Sequence, residues 1–379
     1  MKIAYCTPSL YIPGGVERVL TTKANYLADV AGYDIYIILT DGKGKEPYYE
    51  LSKKIHVINL DINFEELWSK SFLQKIPVYL KKQARYRKLL KKTLYEIKPD
   101  VTVSLLRREI NFLCDIKDGS KKVGEMHINK AHYRNFEGKD YNWIKGIFSK
   151  LWMNGLIKNL KRLDKMIVLS EEDKNSWKGI KSINVIPNPL PFKAEKLSNH
   201  ENKQVIAVGR YVHEKGFDLL LESWKTVYEK HPDWQLVFYG SGDTTYYKEL
   251  AKSIGVDKVC SFNGPTKNIK DKYAESSIYA LSSRFEGFGM VIIEAMSCGV
   301  PVVSFACPYG PRYIITNGKD GFLVKDGDTG QLAERICYMI EHPEERIRMG
   351  KNATETAKKY TIEEIGKQWT ELFSKLTSQ

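Results

Sequence analysis

Short apolar segments alternate along the chain with longer segments in which apolar residues recur at helical spacing. The first half contains a series that we predict as strands: Lys2–Cys6, Asp34–Leu39, Ile55–Ile58, Val101–Leu105, Lys122–Met126 and Met166–Leu169. Helices are predicted between them, including Val16–Val30 and a basic helix from about Val78 to Ile97. Strands that alternate with amphipathic helices are typical of doubly wound parallel α/β sheets.

A second series of the same kind follows in the other half of the chain. Its predicted strands are Gln204–Gly209, Gln235–Tyr239, Val259–Phe262, Ile278–Leu281, Pro301–Phe305 and Gly321–Val324. The stretch from Pro187 to Asn202 lacks apolar periodicity and contains several prolines, which is typical of a linker. We therefore predict one Rossmann-like domain over residues 1–190, a second over 191–360, and a final amphipathic helix over 361–379.

The composition of the 379 residues is ordinary for a globular protein, with 42% hydrophobic and 28% charged residues. The net charge of +13 is unusually high. Such an excess favours an anionic partner: nucleic acid, phospholipid head groups or a phosphorylated substrate. Nucleic acid is disfavoured because no recognition motif accompanies the charge.

Two absences bear on location and chemistry. The sequence has no signal peptide and no apolar run of about 18 residues, which predicts a cytoplasmic protein. The six cysteines form no CxxC pair and mostly lie in apolar runs, so we expect buried free thiols.

The most specific segment runs from Arg284 to Pro301, between a predicted strand and a helix. Gly289 lets the backbone approach a ligand, and the N-terminus of the following helix favours a diphosphate. Glu286 lies in the loop itself. Glu294 lies within an apolar run that should be buried, and a buried acid needs a partner. The hydroxyls of a ribose would be a suitable partner for Glu294.

Two cations follow the first strand of the second series. Arg210 comes directly after the strand, and Lys215 lies in the sequence Glu214-Lys215-Gly216. Basic residues beside a strand end can neutralise a diphosphate, and arginine can bind it in a bidentate manner.

In this order, these elements resemble the retaining glycosyltransferases of family 4, and the resemblance extends over nearly the whole chain. It implies a GT-B fold, with two Rossmann-like domains that face a central cleft. Arg210 and Lys215 match the phosphate-binding pair of that family. By the resemblance, Glu286 contacts the transferred sugar and Glu294 holds the ribose, while the backbone of Phe288-Gly289 meets the diphosphate. The final helix is expected to cross back onto the first domain.

In the first half, the pair Gly14 and Gly15 separates the first strand from its helix. On its own this pair indicates only a tight turn, but it resembles the glycine loop that closes over the donor phosphates in family 4. His127 falls just past a strand end. A lone histidine is more often structural, yet the family has one here beside the reacting sugar. His132 is near enough to be confused with it.

The sequence Asp326-Gly-Asp328 matches the DxD motif with which other glycosyltransferases hold a metal. Its position between a strand and a helix instead predicts a turn and an N-cap. The resemblance likewise implies no metal and no cofactor, with a nucleotide sugar, a UDP-sugar in most relatives, as co-substrate.

Two segments combine basic and aromatic residues: Lys70–Lys98 and Tyr141–Lys165. Amphipathic basic helices of this kind suit an anionic membrane surface, with residues such as Phe72, Tyr79 or Trp152 in the interface. The alternative is a helix face that is simply solvated.

Together these features predict an enzyme that transfers a hexose or N-acetylhexosamine from a UDP-sugar to a hydroxyl with retention of configuration. His127, Glu286, Arg210 and Lys215 are the expected catalytic residues. The expected acceptor is a lipid-linked or growing surface glycan, and the expected location is the inner face of the cell membrane.

Other functions stay open. A UDP-sugar epimerase would have the same fold and use the same donor as the proposed transferase. An inactive membrane-associated scaffold of a glycan-assembly complex would have the same basic, aromatic surface. A nicotinamide oxidoreductase is disfavoured because neither half contains GxGxxG.

Overall fold

The protein consists of two compact units. The computed structural model describes residues 1–69, 71–128, 130 and 153–378. The first unit comprises Met1–Pro189 and Ile365–Gln379, and the second comprises Leu190–Glu364. The first unit is therefore discontinuous along the chain.

The first unit is built on a parallel sheet with the strand order β3-β2-β1-β4-β5-β6-β7 in its described part. The strands are β1 (Lys2–Thr7), β2 (Asp34–Leu39), β3 (His56–Asn59), β4 (Val101–Ser104), β5 (Lys121–Glu125), β6 (Lys165–Val168) and β7 (Ile183–Val185). The helices are α1 (Gly15–Asp29), α2 (Phe72–Ile97), α3 (153–160), α4 (Glu171–Ser176) and, after the second unit, α12 (Ile362–Thr377).

Alternate residues of β1 belong to different apolar cores. Ile3 and Tyr5 pack with α1 and α12, whereas Ala4 and Cys6 pack with α2. Since successive side chains of a strand point to opposite faces, helices cover both faces of this sheet. The first unit is therefore doubly wound.

The second unit has a parallel sheet of the order β10-β9-β8-β11-β12-β13. The strands are β8 (Gln204–Val208), β9 (Gln235–Tyr239), β10 (Cys260–Asn263), β11 (Ile278–Leu281), β12 (Val302–Phe305) and β13 (Gly321–Val324). The helices are α5 (Phe217–Lys230), α6 (Thr245–Ser253), α7 (Ile269–Ala274), α8 (Met290–Ser297), α9 (Gly310–Ile314), α10 (Thr329–Glu341) and α11 (Pro343–Ala357).

Both units confirm the predicted α/β class, and every predicted strand is present with small shifts at its ends. The sequence analysis missed β7, which has three residues at the edge of the sheet and a polar Asn184 at its centre. Helix α2 begins at Phe72 rather than near Val78, with Pro77 inside it. Proline disfavours helix interiors, so the sequence pattern did not predict the first turns of α2.

Helix α12 completes the core of the first unit. Its buried side chains are Ile365, Trp369, Leu372, Phe373 and Leu376. The helix lies so close to α1 that a Cβ atom on Gly366 would come within 2.2 Å of the Tyr26 ring. A glycine is therefore required at this contact.

Candidate active site

The second unit brings two of its loops together where the strand order reverses. Strands β8 and β11 are neighbours, yet the chain runs from β8 outward to β9 and β10 before it returns to β11. In open α/β sheets, ligands bind at such a switch point, beyond the carboxyl ends of the strands. Arg210 and Lys215 follow β8, and Glu286 follows β11.

Lys215 and Glu286 are in direct contact across this switch point. The Nζ atom of Lys215 lies 2.6 Å from Oε1 of Glu286, and the Ser283 hydroxyl donates to the same oxygen at 2.6 Å. The Lys215 side chain is 19% exposed and that of Glu286 is 9% exposed. A cation and an anion are thus held together at the edge of the sheet, mostly shielded from water.

Arg284 ties the two loops together from the other side, a role that the sequence analysis did not assign to it. Its guanidinium donates to both carboxylate oxygens of Asp218, at 2.9 and 2.7 Å, and to the carbonyl of His213 at 2.7 Å. Burial raises the pKa of Asp218, but the hydrogen bonds and charge of Arg284 outweigh burial and lower it. Asp218 therefore stays ionised, and the loop that carries Lys215 is held firmly.

Helix α8 begins at the same edge and carries Glu294. Gly289, the residue before the helix, has φ of 88°, a left-handed conformation that favours glycine. Phe288 is buried, and its ring packs against those of Tyr313 and Tyr360. Glu294 is buried as expected, and the Tyr273 hydroxyl donates to its Oε2 at 3.1 Å. The sequence analysis did not foresee this tyrosine.

The remaining predicted residue of this unit, Arg210, is exposed directly after β8. The second unit therefore assembles Lys215, Glu286, the start of α8 and Glu294, with Arg210 on the adjoining loop.

The predicted residues Gly14, Gly15 and His127 belong to the first unit. Helix α1 starts at Gly15, and Gly14 occupies the N-cap without a side-chain cap. Gly14 has φ of −96°, so its role does not depend on a left-handed backbone. The N-terminal turn of any α-helix leaves backbone N–H groups for an outside acceptor.

His127 follows β5 and is buried, with its side chain 5% exposed. Its Nε2 atom lies 3.3 Å from Oε1 of Glu125. Within the described part of the chain, neither ring nitrogen has a hydrogen-bond partner of good geometry. His132 lies outside the described residues. A buried polar ring without such a partner is costly.

The first unit also contains a cavity of about 500 Å³ beyond the carboxyl end of β2. Its lining combines aromatic, acidic and basic side chains, including Tyr11, Asp41, Lys45, Tyr49, Glu50 and Val57. Nothing in the sequence analysis singled out this cavity, although all of its lining residues lie between Leu10 and Asn59.

The structure corrects the expected membrane face of α2. Tyr79 packs in the core against Phe64, and Lys82 pairs with Glu66 at 2.9 Å and donates to the carbonyl of Ile62. Tyr79 is thus half-buried and Lys82 is 14% exposed, so both side chains pack mainly against the protein.

The residues of the α2 region that do face solvent include Trp68, Ile76, Leu80, Lys81, Arg85 and Lys88. Trp68 is 70% exposed and Leu80 is 61% exposed. Trp152 and residues 141–152 of the other basic segment lie outside the described residues, as does Lys70, and the side chain of Phe72 is not described either.

Asp328 is an N-cap, as predicted. Its Oδ1 accepts from the backbone N–H of Gln331 at 2.9 Å at the start of α10. In the part of the chain that the structure describes, no three His, Cys, Asp or Glu side chains are grouped to hold a metal ion. The cysteines are all free, as expected. No helix among the described residues combines the length and the apolar character needed to cross a bilayer.

The architecture belongs to the GT-B glycosyltransferase class. A crystal structure of a mutant of S. aureus TarM, in complex with fondaparinux, alpha-GlcNAc-glycerol and UDP, superimposes with a TM-score of 0.78. It is 17% identical in sequence and is matched over 98% of this chain and 99% of that one. At this identity the likeness concerns the fold.

Sequence comparisons extend this likeness to the family. Residues 191–356 match the family described as "Glycosyl transferases group 1". An uncharacterized glycosyltransferase of Haemophilus influenzae is 30% identical over 382 residues, which cover 97% of this chain and 98% of that protein. The chain therefore belongs to the glycosyltransferase family.

A second relative comes from Campylobacter jejuni and is 27% identical over 389 residues, or 99% of each chain. It is named GalNAc-alpha-(1->4)-GalNAc-alpha-(1->3)-diNAcBac-PP-undecaprenol alpha-1,4-N-acetyl-D-galactosaminyltransferase.

Proposed function

We propose that this glycosyltransferase moves a hexose or N-acetylhexosamine from a UDP-sugar to a hydroxyl of a lipid-linked or growing surface glycan, with retention of configuration. The observation that carries the proposal is the contact between Lys215 and Glu286 at the switch point of the second unit. A cation for a diphosphate and a carboxylate for a sugar are held side by side there.

The donor would be bound by charge and by hydrogen bonds. Lys215, Arg210 and the N-terminus of α8 lie where they favour the two negative phosphates. Glu294 would accept hydrogen bonds from the ribose hydroxyls, held in place by Tyr273. The choice of uridine is supported by the UDP in the TarM complex, which shares the fold.

The reaction would follow a front-face route. The acceptor oxygen bonds to the anomeric carbon on the side from which the diphosphate leaves, while the bond from that carbon to the phosphate oxygen breaks. The hydroxyl proton passes to the departing phosphate oxygen. Lys215 and Arg210 stabilise the charge that develops there, and Glu286, fixed by Lys215 and Ser283, contacts the transferred sugar.

The first unit would serve the acceptor. The cavity beyond β2 presents Tyr11 and Tyr49 beside Asp41 and Glu50. A lining of mixed aromatic and charged residues suits a ligand with many hydroxyls, such as a glycan. His127 would contact the reacting sugar, and Gly14 and Gly15 would approach the donor phosphates through backbone N–H groups.

An enzyme with a lipid-linked acceptor must act at a membrane surface. The exposed basic face of α2 supports attachment to such a surface if it is anionic. The name of the C. jejuni relative includes an undecaprenol-linked glycan, which is consistent with such an acceptor. We therefore propose a peripheral location on the inner face of the cell membrane.

The test is an assay of the purified protein with a panel of UDP- and GDP-sugars and a prenyl-diphosphate-linked glycan. We expect transfer from one or more UDP-sugars and activity that survives EDTA. NMR of the product should show that the transferred sugar keeps the anomeric configuration it had in the donor. Efficient epimerisation of a UDP-sugar without acceptor would contradict the proposal. Loss of activity in EDTA that manganese restores would reinstate a metal-dependent route.

A further inference from the structure

An ion pair lies inside the first unit. Lys23 of α1 donates to Oε2 of Glu125 at the end of β5, and the two side chains are 1% and 3% exposed. The free energy needed to remove two charges from water is often as large as the free energy gained from their attraction. A buried pair of this kind therefore needs a reason other than stability.

Aromatic rings surround the ammonium group on its other sides. Nζ of Lys23 lies 3.9 Å from the ring centroid of Trp369 in α12 and 5.1 Å from that of Tyr5 in β1. Ring faces attract cations, most strongly when water is excluded. Trp369 thus helps to hold Lys23 against Glu125.

The other oxygen of Glu125 faces the imidazole of His127. Burial raises the pKa of Glu125, but Lys23 and His127 outweigh burial and hold it at about 2. The carboxylate is therefore charged at any physiological pH. Since Nε2 of His127 lies 3.3 Å from Oε1, the charge favours the ring form with hydrogen on Nε2 and leaves the lone pair on Nδ1.

We propose that Glu125, Lys23 and Trp369 are positioning residues for His127: they fix its ring orientation and favour the tautomer with hydrogen on Nε2. The helix α12, which follows the second unit in sequence, thereby supports the reacting end of β5. The inference rests on the proposed function in one respect only, namely that His127 contacts substrate.

The decisive variant removes both charges. Glu125→Gln alone leaves a buried unpaired lysine and is expected to unfold more easily, so the double variant Lys23→Met/Glu125→Gln is used instead. We expect it to fold and to bind UDP like the wild type, because the side chains assigned to UDP belong to the second unit and the loop of Gly14 and Gly15 is unchanged. Its kcat should fall by about 10- to 100-fold, the usual scale for misplacement of a reacting group.

The second readout is the ¹⁵N NMR spectrum of the His127 ring in the full-length protein. The wild type should show hydrogen on Nε2, and the double variant should show a mixture of tautomers. Unchanged ring signals, or an unchanged kcat, would each overturn the proposal.

A matched pair of variants tests the aromatic support. Trp369→Leu and Phe373→Leu both truncate a buried ring of α12, but only Trp369 lies over Lys23. We expect a lower kcat only in the Trp369 variant, after both have been compared at a temperature where they are fully folded. Equal kcat values for the two would remove Trp369 from the proposal.

His127→Ala separates this inference from the proposed function. A wild-type kcat in that variant would refute the contact of His127 with substrate. The tautomer measurement would still show whether Glu125 orients the ring.

Discussion

Nζ of Lys215 lies 2.6 Å from Oε1 of Glu286, and the two residues come from loops that follow neighbouring strands. Each side chain therefore fixes the other before a donor arrives. In the proposed donor complex, Lys215 would have a second anion, the diphosphate, within reach, and Glu286 would be oriented toward the sugar.

The first prediction concerns the two cations. Lys215→Ala and Arg210→Ala should each lower kcat by about 10²- to 10³-fold, because a preorganised charge is lost from the leaving group. Lys225→Ala, an exposed lysine on α5, is the control and should have no effect. Steady-state rates with saturating donor decide the matter, and a wild-type rate in either variant removes that residue from the site.

The second prediction separates the two glutamates. Glu294→Ala should weaken UDP binding by about 1–3 kcal/mol, the usual value for hydrogen bonds to a charged group. Tyr273→Phe, which removes only the hydrogen bond to Glu294, should cost about 0.5–1.5 kcal/mol. Glu286→Ala should lower turnover more than UDP affinity. Calorimetry with UDP measures all three, and unchanged affinity in the Glu294 variant contradicts the ribose assignment.

A third prediction tests the cavity of the first unit as the acceptor site. Val57 lines the cavity from β3, and tryptophan is well tolerated in strands, so Val57→Trp should fill the space without unfolding the protein. We expect the KM for the acceptor to rise by about tenfold, or ~1.4 kcal/mol, while UDP affinity stays the same. Val30→Trp, at a position that is 69% exposed after α1, is the control. Equal acceptor KM values for both variants would place the acceptor elsewhere.

The fourth prediction concerns the membrane. Flotation with anionic liposomes should recover the protein, and recovery should fall as salt rises, since screening acts beyond roughly 8–10 Å. Lys81, Arg85 and Lys88 contribute about 1 kcal/mol each near such a surface, so their replacement by glutamate should abolish binding. The same change at Lys225, Lys248 and Lys252, exposed residues of the second unit, should not. Equal binding to neutral liposomes would mean that the α2 face is only solvated.

The fifth prediction is a pH dependence of stability. The pKa of Glu125 falls from 4.5 to about 2 on folding. The stabilisation that accompanies this shift is complete above pH 4.5 and is lost as the pH falls toward 2. The free energy of unfolding should therefore decrease over this window, and it should decrease less in Lys23→Met/Glu125→Gln. Urea unfolding between pH 2 and pH 5 measures the difference, and identical slopes for both proteins would contradict it.

The sequence was sufficient for the features that depend on local pattern. Short apolar segments located the described strands of both sheets except β7, and the apolar run around Glu294 predicted a buried acid that needs a partner. The N-cap role of Asp328 also followed from its place between a strand and a helix. In each case the signal lies within a few residues of the feature.

Features that depend on tertiary packing were not visible. Lys23 and Glu125 are 102 residues apart, and neither lies in a motif. Tyr79 was assigned to a membrane-facing side of its helix because the pattern of a basic helix does not reveal which side meets the core. The partners of Glu294 and Asp218 could not be predicted either, because they come from other elements: Tyr273 lies in α7, and Arg284 lies in the loop after β11.

The discontinuity of the first unit has a consequence for synthesis on the ribosome. Trp369 and Phe373 fill the core that α1 and β1 leave open, but they are translated only after the whole of Leu190–Glu364. At ~5–20 residues per second, that interval is about 10–35 s. During this time the nascent first unit exposes an apolar groove where α12 later docks. The second unit is contiguous along the chain and can therefore finish folding before the first unit, although synthesis of the first unit begins earlier.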